Sequence, residues 1–243
     1  MKLIAIPLTV IFYTIYGLAL GIMHLVQWLT YNLSGYQAHH NSVKFLDWIL
    51  IQNTRVLGTT YSFSGREKLP KDVPLIFVSN HQSMFDVSPL EWYLESFHPK
   101  FISKIELGKN IPSVSYNLKK GGSVLIDRKD SRQSLSEIKK LSEYIEKYKR
   151  SAIIFPEGTR SRDGKLKTFK DNGIRILLKY SPSALIVPIT INNSWKIAKN
   201  GAFPLSLGAK FTLEVHEPIS PKAYDFEDLM IKIKEVVQSG LKD

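Results

Sequence analysis

The sequence predicts an α/β fold, with a mixed central sheet flanked by helices and an N-terminal membrane-associated hairpin of two helices. The chain is apolar and almost uncharged at its start, and beyond about residue 58 short apolar runs alternate with longer amphipathic stretches. With 243 residues, 44% of them hydrophobic, it has enough apolar surface for one substantial core. We therefore expect a membrane-anchoring helical hairpin over 1–57 and an α/β domain over 58–243.

The N-terminal segment carries no Lys, Arg, Asp or Glu between Leu3 and Val43. At about 1.5 Å per residue it is long enough to cross a hydrocarbon core of roughly 30 Å. A polar break at 32–35 allows the chain to turn back, and 43–57 forms a second, amphipathic helix. A spanning helix, a re-entrant or interfacial hairpin and a buried soluble hairpin all stay open. A signal peptide is disfavoured, because the basic start and the cleavage site are missing.

Beyond the hairpin, the periodicity of apolar residues predicts seven strands and four helices. The predicted strands are 60–63, 75–79, 100–102, 123–126, 152–155, 185–191 and 211–215, and the predicted helices are 87–97, 131–148, 172–180 and 225–241. Sites in such sheets gather at the carboxyl ends of strands. His81, Arg128 and Glu157 each follow a predicted strand closely, so these three are candidate site residues.

His81 and Asp86 are the candidate acid–base pair. Their five-residue spacing leaves the side chains about 140° apart on one helix and on opposite faces of one strand. A strand that ends near His81, a turn, and a helix that starts near Asp86 would bring them together. Such a pair is the acid–base half of a triad that lacks a protein nucleophile.

Charge and composition limit the function classes. The net charge of +11 favours anionic partners such as nucleic acid, lipid headgroups or phosphorylated substrates. The chain contains no cysteine, which excludes disulfides, thiolate zinc sites and cysteine nucleophiles. The histidines show no metal-like grouping with carboxylates, so we expect no metal site.

The turn Pro156-Glu157-Gly158-Thr159-Arg160 is the most distinctive motif. We expect Pro156 and Gly158 to force a tight turn that exposes Glu157 and Arg160 beside backbone N–H groups and the Thr159 hydroxyl, a grouping suited to phosphate. Arg160 would grip phosphate, and Glu157 would accept hydrogen bonds from substrate hydroxyls. The alternative is a structural turn closed by a Glu–Arg pair.

Four motifs occur in the order typical of one enzyme family. They are Asn80-His81-Gln82-Ser83-Met84-Phe85-Asp86, Val124-Leu125-Ile126-Asp127-Arg128, Phe155-Pro156-Glu157-Gly158-Thr159-Arg160-Ser161 and Val187-Pro188-Ile189-Thr190-Ile191. Together they resemble the motifs of the glycerolipid acyltransferases, in particular the 1-acyl-sn-glycerol-3-phosphate (lysophosphatidic acid) acyltransferases. The resemblance covers roughly residues 60–220.

The resemblance implies transfer of a fatty acyl group from acyl-CoA or an acyl carrier protein thioester to the sn-2 hydroxyl of lysophosphatidic acid, giving phosphatidic acid. His81 would be the general base and Asp86 would orient it. No metal or other cofactor is implied. By the same resemblance, residues around the turns bind the glycerol phosphate, and Pro188 belongs to a motif linked with acyl-donor binding or strand geometry. The implied substrate-binding residues are Lys104, Arg128, Glu157, Gly158, Thr159 and Arg160.

Alternatives to this function concern the acceptor and the class of protein. The same chemistry could serve another lysolipid or glycerol 3-phosphate. A non-enzymatic basic protein that binds anionic membrane or nucleic acid would explain the charge but not the ordered motifs, and no nucleic-acid motif is present. We expect an anionic membrane as partner, no nucleic acid, and a membrane location with the active site at the cytoplasmic face, as at a bacterial inner membrane. Backbone N–H groups at the start of the helix after His81, or near Gly158, are candidate oxyanion donors.

Overall fold

A computed structural model of the protein describes residues 2–242. Within that range a seven-stranded sheet lies between two layers of helices. The strands are β1 (Thr60–Ser64), β2 (Leu75–Ser79), β3 (Pro99–Lys104), β4 (Val124–Ile126), β5 (Ser151–Ile154), β6 (Leu185–Asn192) and β7 (Lys210–Val215). The α-helices are α1 (Lys2–Thr54), α2 (Val87–Tyr93), α3 (Val114–Lys120), α4 (Ser131–Tyr148), α5 (Asn172–Tyr180) and α6 (Phe226–Ser239).

The strand order is β1-β7-β6-β2-β5-β3-β4, and only the β6–β7 pair is antiparallel. The predicted mixed sheet is confirmed. Because β2, β5, β3 and β4 are parallel neighbours, their carboxyl ends lie side by side at one edge. The candidate residues that follow these strands therefore line up along a single edge, which we call the site edge.

The core lies on both faces of the central strand β2. Leu75, Ile76, Phe77 and Val78 are all fully buried, as expected for a parallel strand covered by helices on both sides. On one face, the cluster that contains Ile76 and Val78 includes apolar residues of α4, α5 and α6. On the other, Leu75 and Phe77 cluster with residues of α2. The strand that leads to His81 is thus buried on both faces of the sheet.

A sharp turn at Gly35 divides α1 into two helices, 2–34 and 36–54. Gly35 has φ 74° and ψ −161°, a backbone conformation open essentially to glycine alone. The two helices run antiparallel, since Asn53 Nδ2 donates to the Phe12 carbonyl at 3.0 Å and Thr30 Oγ1 lies 3.3 Å from Ser42 Oγ. The predicted helical hairpin is therefore confirmed, with its turn at the predicted polar break.

The hairpin packs against the rest of the chain and keeps one apolar face open. The Ser113 hydroxyl donates to the Leu20 carbonyl at 2.8 Å, and Leu205 N donates to Thr9 Oγ1 at 3.0 Å. Among the described residues, Leu3–Leu57 is the one helical segment long and apolar enough to cross a membrane by length and composition. The division into an anchor over 1–57 and a domain over 58–243 stays a prediction.

The structure differs from the prediction in three helical regions. The helix predicted over 87–97 ends at Tyr93, and a 3₁₀ turn, Glu95–Phe97, follows it. Helix α3 was not predicted, because its seven residues include Ser, Tyr and Asn and give no clear helical period. The helix predicted over 43–57 spans 36–54, and a 3₁₀ turn, Arg55–Leu57, follows it. The helices predicted over 131–148, 172–180 and 225–241 and all seven strands match the structure to within two residues at each end.

Candidate active site

The predicted strand–turn–helix corner brings His81 and Asp86 together. β2 ends at Ser79, and a 3₁₀ turn, Met84–Asp86, leads into α2. Ser83 caps this turn: its hydroxyl accepts the Phe85 N–H, while its own N–H donates to Asp86 at 3.0 Å. This reciprocal cap folds the carboxylate back over the turn. His81 Nδ1 then lies 2.8 Å from Asp86 Oδ2.

The hydrogen bond to Asp86 defines which nitrogen of His81 is free. A buried carboxylate is an acceptor, so Nδ1 carries the proton that it shares with Asp86. The carboxylate is fully buried, whereas 17% of the His81 side chain is exposed. Nε2 has no hydrogen-bond partner among residues 2–242 and is left as the proton acceptor. The geometry is that of an oriented general base.

Three further contacts hold His81 in place. Its backbone N–H donates to Glu157 Oε1 at 2.8 Å, and its carbonyl accepts the Ser161 N–H at 2.8 Å. Its ring stacks on Phe155, with centroids 4.1 Å apart. Phe155, Glu157 and Ser161 all follow β5, so the strand next to β2 fixes both the backbone and the ring plane of the candidate base.

Glu157 is buried, which corrects the expectation that the turn exposes it. Only 4% of the residue is accessible. Its second oxygen, Oε2, accepts the Lys167 N–H at 3.2 Å. Burial raises the pKa of the Glu157 carboxyl, and the two N–H donors oppose that rise. A Glu157–Arg160 ion pair, the structural alternative, does not form among the described residues.

The rest of the turn forms a basic loop. Gly158 has φ 68°, Thr159 and Arg160 are exposed, and the Lys167 ammonium donates to the Arg160 carbonyl at 2.8 Å. The Lys170 ammonium lies 3.6 Å from where a Cβ on Gly158 would sit. We call residues 158–170 the basic loop. The start of the basic loop lies beside His81, because Glu157 and Ser161 both hydrogen-bond to the His81 backbone.

Lys104 and Arg128 lie further along the site edge. Lys104 ends β3 and Arg128 follows β4, and both are exposed. Three strand spacings separate β2 from β4, about 14 Å. Asp127 does not pair with Arg128 within the described chain; its Oδ1 accepts the Lys129 N–H at 2.9 Å instead. His81, Glu157, Lys104 and Arg128 thus follow one another along the site edge, with the candidate base at one end and two exposed cations at the other.

The geometry narrows the expected oxyanion donors. The N–H groups of Gln82 and Ser83 donate to Asp86 Oδ2 at 2.7 and 3.0 Å, and Gly158 N donates to the Phe155 carbonyl. These three amides are therefore occupied by the protein itself, and the identity of the oxyanion donor stays a prediction.

Comparison with known proteins identifies the family. A family model described as Acyltransferase matches residues 60–192, more than half of the 243-residue chain. The chain belongs to the acyltransferase family. The resemblance read from the four motifs is thereby confirmed.

Individual relatives and a solved structure agree with this assignment. A chloroplastic 1-acyl-sn-glycerol-3-phosphate acyltransferase of Arabidopsis thaliana is 35% identical over 159 residues, which cover 65% of this chain and 43% of the relative. One from Helicobacter pylori is 40% identical over 128 residues, covering 49% of this chain and 51% of the relative. The chain thus spans about half the length of these curated relatives. The crystal structure of the 1-acyl-sn-glycerophosphate acyltransferase of Thermotoga maritima matches with a TM-score of 0.77 and 28% identity, covering 96% of this chain and 93% of that one.

Pro188 of this acyltransferase lies away from the other predicted site residues. It is buried within β6, paired with Val78 of β2. β7 pairs with β6 only from Ile189 onward, so the missing N–H of Pro188 falls just before the β6–β7 ladder begins. This position favours the strand-geometry reading of the motif over a contact with the acyl donor.

Three residues that were not predicted as site residues contact the candidate site. Phe155 stacks on His81, and Asn80 exchanges two hydrogen bonds, of 2.8 and 2.7 Å, with the backbone of Ile191. The Ser194 hydroxyl donates to Asp86 Oδ1. Phe155 and Asn80 each begin one of the four sequence motifs, so the sequence alone could have indicated them as site residues. Ser194 lies 108 residues from Asp86, and no local pattern marks it.

A narrow crevice lined by both polar and apolar side chains lies beside the candidate site, between the hairpin and α2. Its walls combine residues of both elements with Met84 and Phe85 of the His81–Asp86 corner. The lining residues are Phe12, Tyr16, Leu50, Ile51, Thr54, Tyr61, Met84, Phe85, Ser88 and Pro89. The crevice therefore connects the hairpin to the corner that carries the base. Among the described residues no group of three His, Cys, Asp or Glu side chains is placed to hold a metal ion.

Proposed function

We propose that this acyltransferase moves a fatty acyl group from acyl-CoA or an acyl carrier protein thioester to the sn-2 hydroxyl of lysophosphatidic acid, forming phosphatidic acid. The observation that carries the proposal is the His81–Asp86 pair, with Nε2 free beside a basic loop. The relatives named above are 1-acyl-sn-glycerol-3-phosphate acyltransferases, and that supports the choice of acceptor.

In the proposed reaction the acceptor hydroxyl is the nucleophile. His81 Nε2 takes the hydroxyl proton as the oxygen attacks the thioester carbonyl carbon, and Asp86 stabilises the resulting imidazolium. The tetrahedral intermediate then expels the thiolate, which takes the proton from the imidazolium. The two hydroxyls nearest the pair support a mechanism without an acyl-enzyme, since Ser83 caps the turn and Ser194 donates to Asp86.

The charges along the site edge suit a phosphorylated acceptor. Thr159 and Arg160 lie in the basic loop next to His81, and Lys104 and Arg128 continue the positive edge. A phosphomonoester held by these groups would present a nearby hydroxyl to Nε2. In the proposed complex, Glu157 and Gly158 shape the loop that binds the phosphate, because Glu157 is buried and hydrogen-bonded to two backbone N–H groups.

The hairpin supports a membrane location for this reaction. Its exposed face carries large apolar residues whose exposed fractions are high for a soluble protein. They include Leu3 (87%), Leu18 (60%), Ile22 (63%), Leu25 (59%) and Trp28 (49%). Inserted into one leaflet, this face would hold the neighbouring His81–Asp86 corner close to the bilayer surface. The charge of +11 suits an anionic cytoplasmic membrane surface.

An acyl-transfer panel with purified full-length protein tests the proposal. Lysophosphatidic acid, glycerol 3-phosphate, lysophosphatidylcholine and lysophosphatidylethanolamine would each be offered with acyl-CoA and with acylated carrier protein, and the products identified by mass. We expect phosphatidic acid to form fastest. If another acceptor is acylated faster, the protein is an acyltransferase but lysophosphatidic acid is not its preferred acceptor. If neither donor supports acyl transfer to any acceptor, both the proposed reaction and the proposed acceptor are wrong.

A further inference from the structure

The buried carboxylate of Asp86 divides its hydrogen bonds unequally between its two oxygens. Oδ2 accepts three, from His81 Nδ1 and from the N–H groups of Gln82 and Ser83. Within residues 2–242, Oδ1 has one hydrogen-bond partner, the hydroxyl of Ser194. We propose that Ser194 is a positioning residue for the His81–Asp86 pair, an inference that rests on the proposed function.

The backbone holds Ser194 firmly at this place. Asn193 has φ 67°, which turns the chain out of β6 and into the 3₁₀ segment Ser194–Ala198. Ser194 is fully buried. Three residues earlier, Ile191 exchanges two hydrogen bonds with the Asn80 side chain, next to His81. Ser194 and His81 are therefore fixed to the same pair of adjacent strands, β6 and β2.

The Ser194 hydroxyl defines the orientation of the carboxylate plane. Without it, Oδ1 would be a buried acceptor with no donor, and the carboxylate could rotate about its Cβ–Cγ bond to bring Oδ1 toward the donors that now hold Oδ2. Any such rotation lengthens the bond to Nδ1 and lets the imidazole turn away from its present direction. A displacement of about 1 Å at a catalytic group costs up to about a hundredfold in rate.

A positioning role for Ser194 predicts that its loss lowers the turnover rate but leaves substrate binding unchanged. Ser194 is fully buried behind Asp86 and therefore touches no substrate. Ser194→Ala should lower kcat about 10- to 100-fold while the KM of each substrate stays within about twofold. Ser194→Thr keeps the donor and should recover most of the rate. Ser151→Ala is the matched control, because Ser151 is also fully buried and donates to a backbone carbonyl, that of Phe97, at 2.9 Å.

A double-variant cycle distinguishes positioning from simple structural support. If Ser194 acts through Asp86, Ser194→Ala should cause no further loss of kcat in an Asp86→Ala background. Losses that multiply, with equal melting temperatures, would overturn the proposal, as would a wild-type kcat for Ser194→Ala. The cycle also keeps the two claims apart. Full activity of Asp86→Ala would reject the catalytic role of the His81–Asp86 pair, and with it any role of Ser194. An inactive Asp86→Ala beside an unchanged Ser194→Ala would reject only this inference, and a wild-type protein without acyl transfer would reject the proposed function.

Discussion

The carboxylate of Glu157 accepts the backbone N–H of His81 at 2.8 Å and thereby joins the ends of β2 and β5. Its other oxygen accepts, at 3.2 Å, the backbone N–H of Lys167, a residue of the basic loop. One buried side chain thus connects the candidate base to the loop proposed to bind phosphate. A buried side chain therefore holds the candidate base and the proposed phosphate-binding loop together.

Replacing Glu157 with glutamine should weaken both attachments. A Gln side chain can accept from one of the two N–H groups, but its own NH₂ must then face the other. We expect a loss of about 1–3 kcal/mol in the free energy of unfolding, together with a fall in kcat as His81 shifts. Thermal melting and steady-state kinetics measure the two effects. Glu217→Gln removes the same charge from a carboxylate that is 74% exposed and should change neither. A Glu157→Gln variant with wild-type stability and kcat would show that the two hydrogen bonds are dispensable.

Arg160→Ala should impair use of the phosphorylated acceptor more than use of the thioester donor. Arg160 is exposed in the basic loop, and a charge-assisted contact with phosphate contributes about 1.5–3 kcal/mol. We expect the KM for lysophosphatidic acid to rise about 10- to 100-fold with the donor KM little changed. Lys222→Ala removes one exposed positive charge elsewhere and serves as control. An unchanged acceptor KM would assign Arg160 a structural role.

Charges on the open face of the hairpin should release the protein from membranes. Leu18 and Ile22 lie one turn apart and are 60% and 63% exposed. Because a carboxylate in a bilayer costs several kcal/mol, the double variant Leu18→Glu/Ile22→Glu should reduce vesicle binding at least about tenfold. Flotation with anionic vesicles measures it. Leu135→Glu/Ile231→Glu places the same charges on exposed apolar positions of α4 and α6 and should bind like the wild type. Equal binding of all three proteins would contradict a membrane role for this face.

Lys100 should make stability depend on pH in the alkaline range. The residue is only 3% exposed, and burial lowers the pKa of its ammonium to about 8, with Glu91 opposing and Arg150 adding to the decrease. Between about pH 8 and 10.5 the unfolded chain binds the extra proton, so folding gains stability as pH rises. Over this pH range the free energy of unfolding of the wild type should therefore rise by up to about 3 kcal/mol relative to that of Lys100→Met. Denaturant unfolding at both pH values measures the difference. Lys222→Met, the control, should show the same pH dependence of the free energy of unfolding as the wild type. If Lys100→Met also shows the wild-type pH dependence, the Lys100 ammonium is not desolvated in the folded protein.

Much of the fold and of the site was predictable from the sequence because the signals are local. Apolar runs marked the strands, the polar break marked the hairpin turn, and the five-residue spacing of His81 and Asp86 implied their corner. The Ser83-x-x-Asp86 pattern even encodes the cap that folds the carboxylate back. These features depend on residues close together in the chain, where periodicity and turn chemistry act directly.

What escaped prediction depends on contacts between distant segments. Glu157 was expected to be exposed because a Pro-Glu-Gly turn usually is, but Lys167 and His81 supply two backbone donors that make its burial possible. Ser194 meets Asp86 only because β6 and β2 are neighbours in the sheet. No local sequence pattern specifies the order of the strands in the sheet. The contacts of Glu157 and of Ser194 therefore could not be predicted from this sequence alone.

The rate of phosphatidic acid formation by His81→Ala tests the central claim most directly. Purified variant and wild type would be assayed with lysophosphatidic acid and a thioester donor at saturating concentrations, with the product quantified by mass. His216→Ala serves as control, because that half-buried histidine bonds to Thr190 rather than to a carboxylate. If His81 Nε2 is the base, kcat should fall at least about 10²- to 10⁴-fold while melting temperature and vesicle binding are preserved. A folded, membrane-bound His81→Ala protein that forms phosphatidic acid at the wild-type rate would contradict the account.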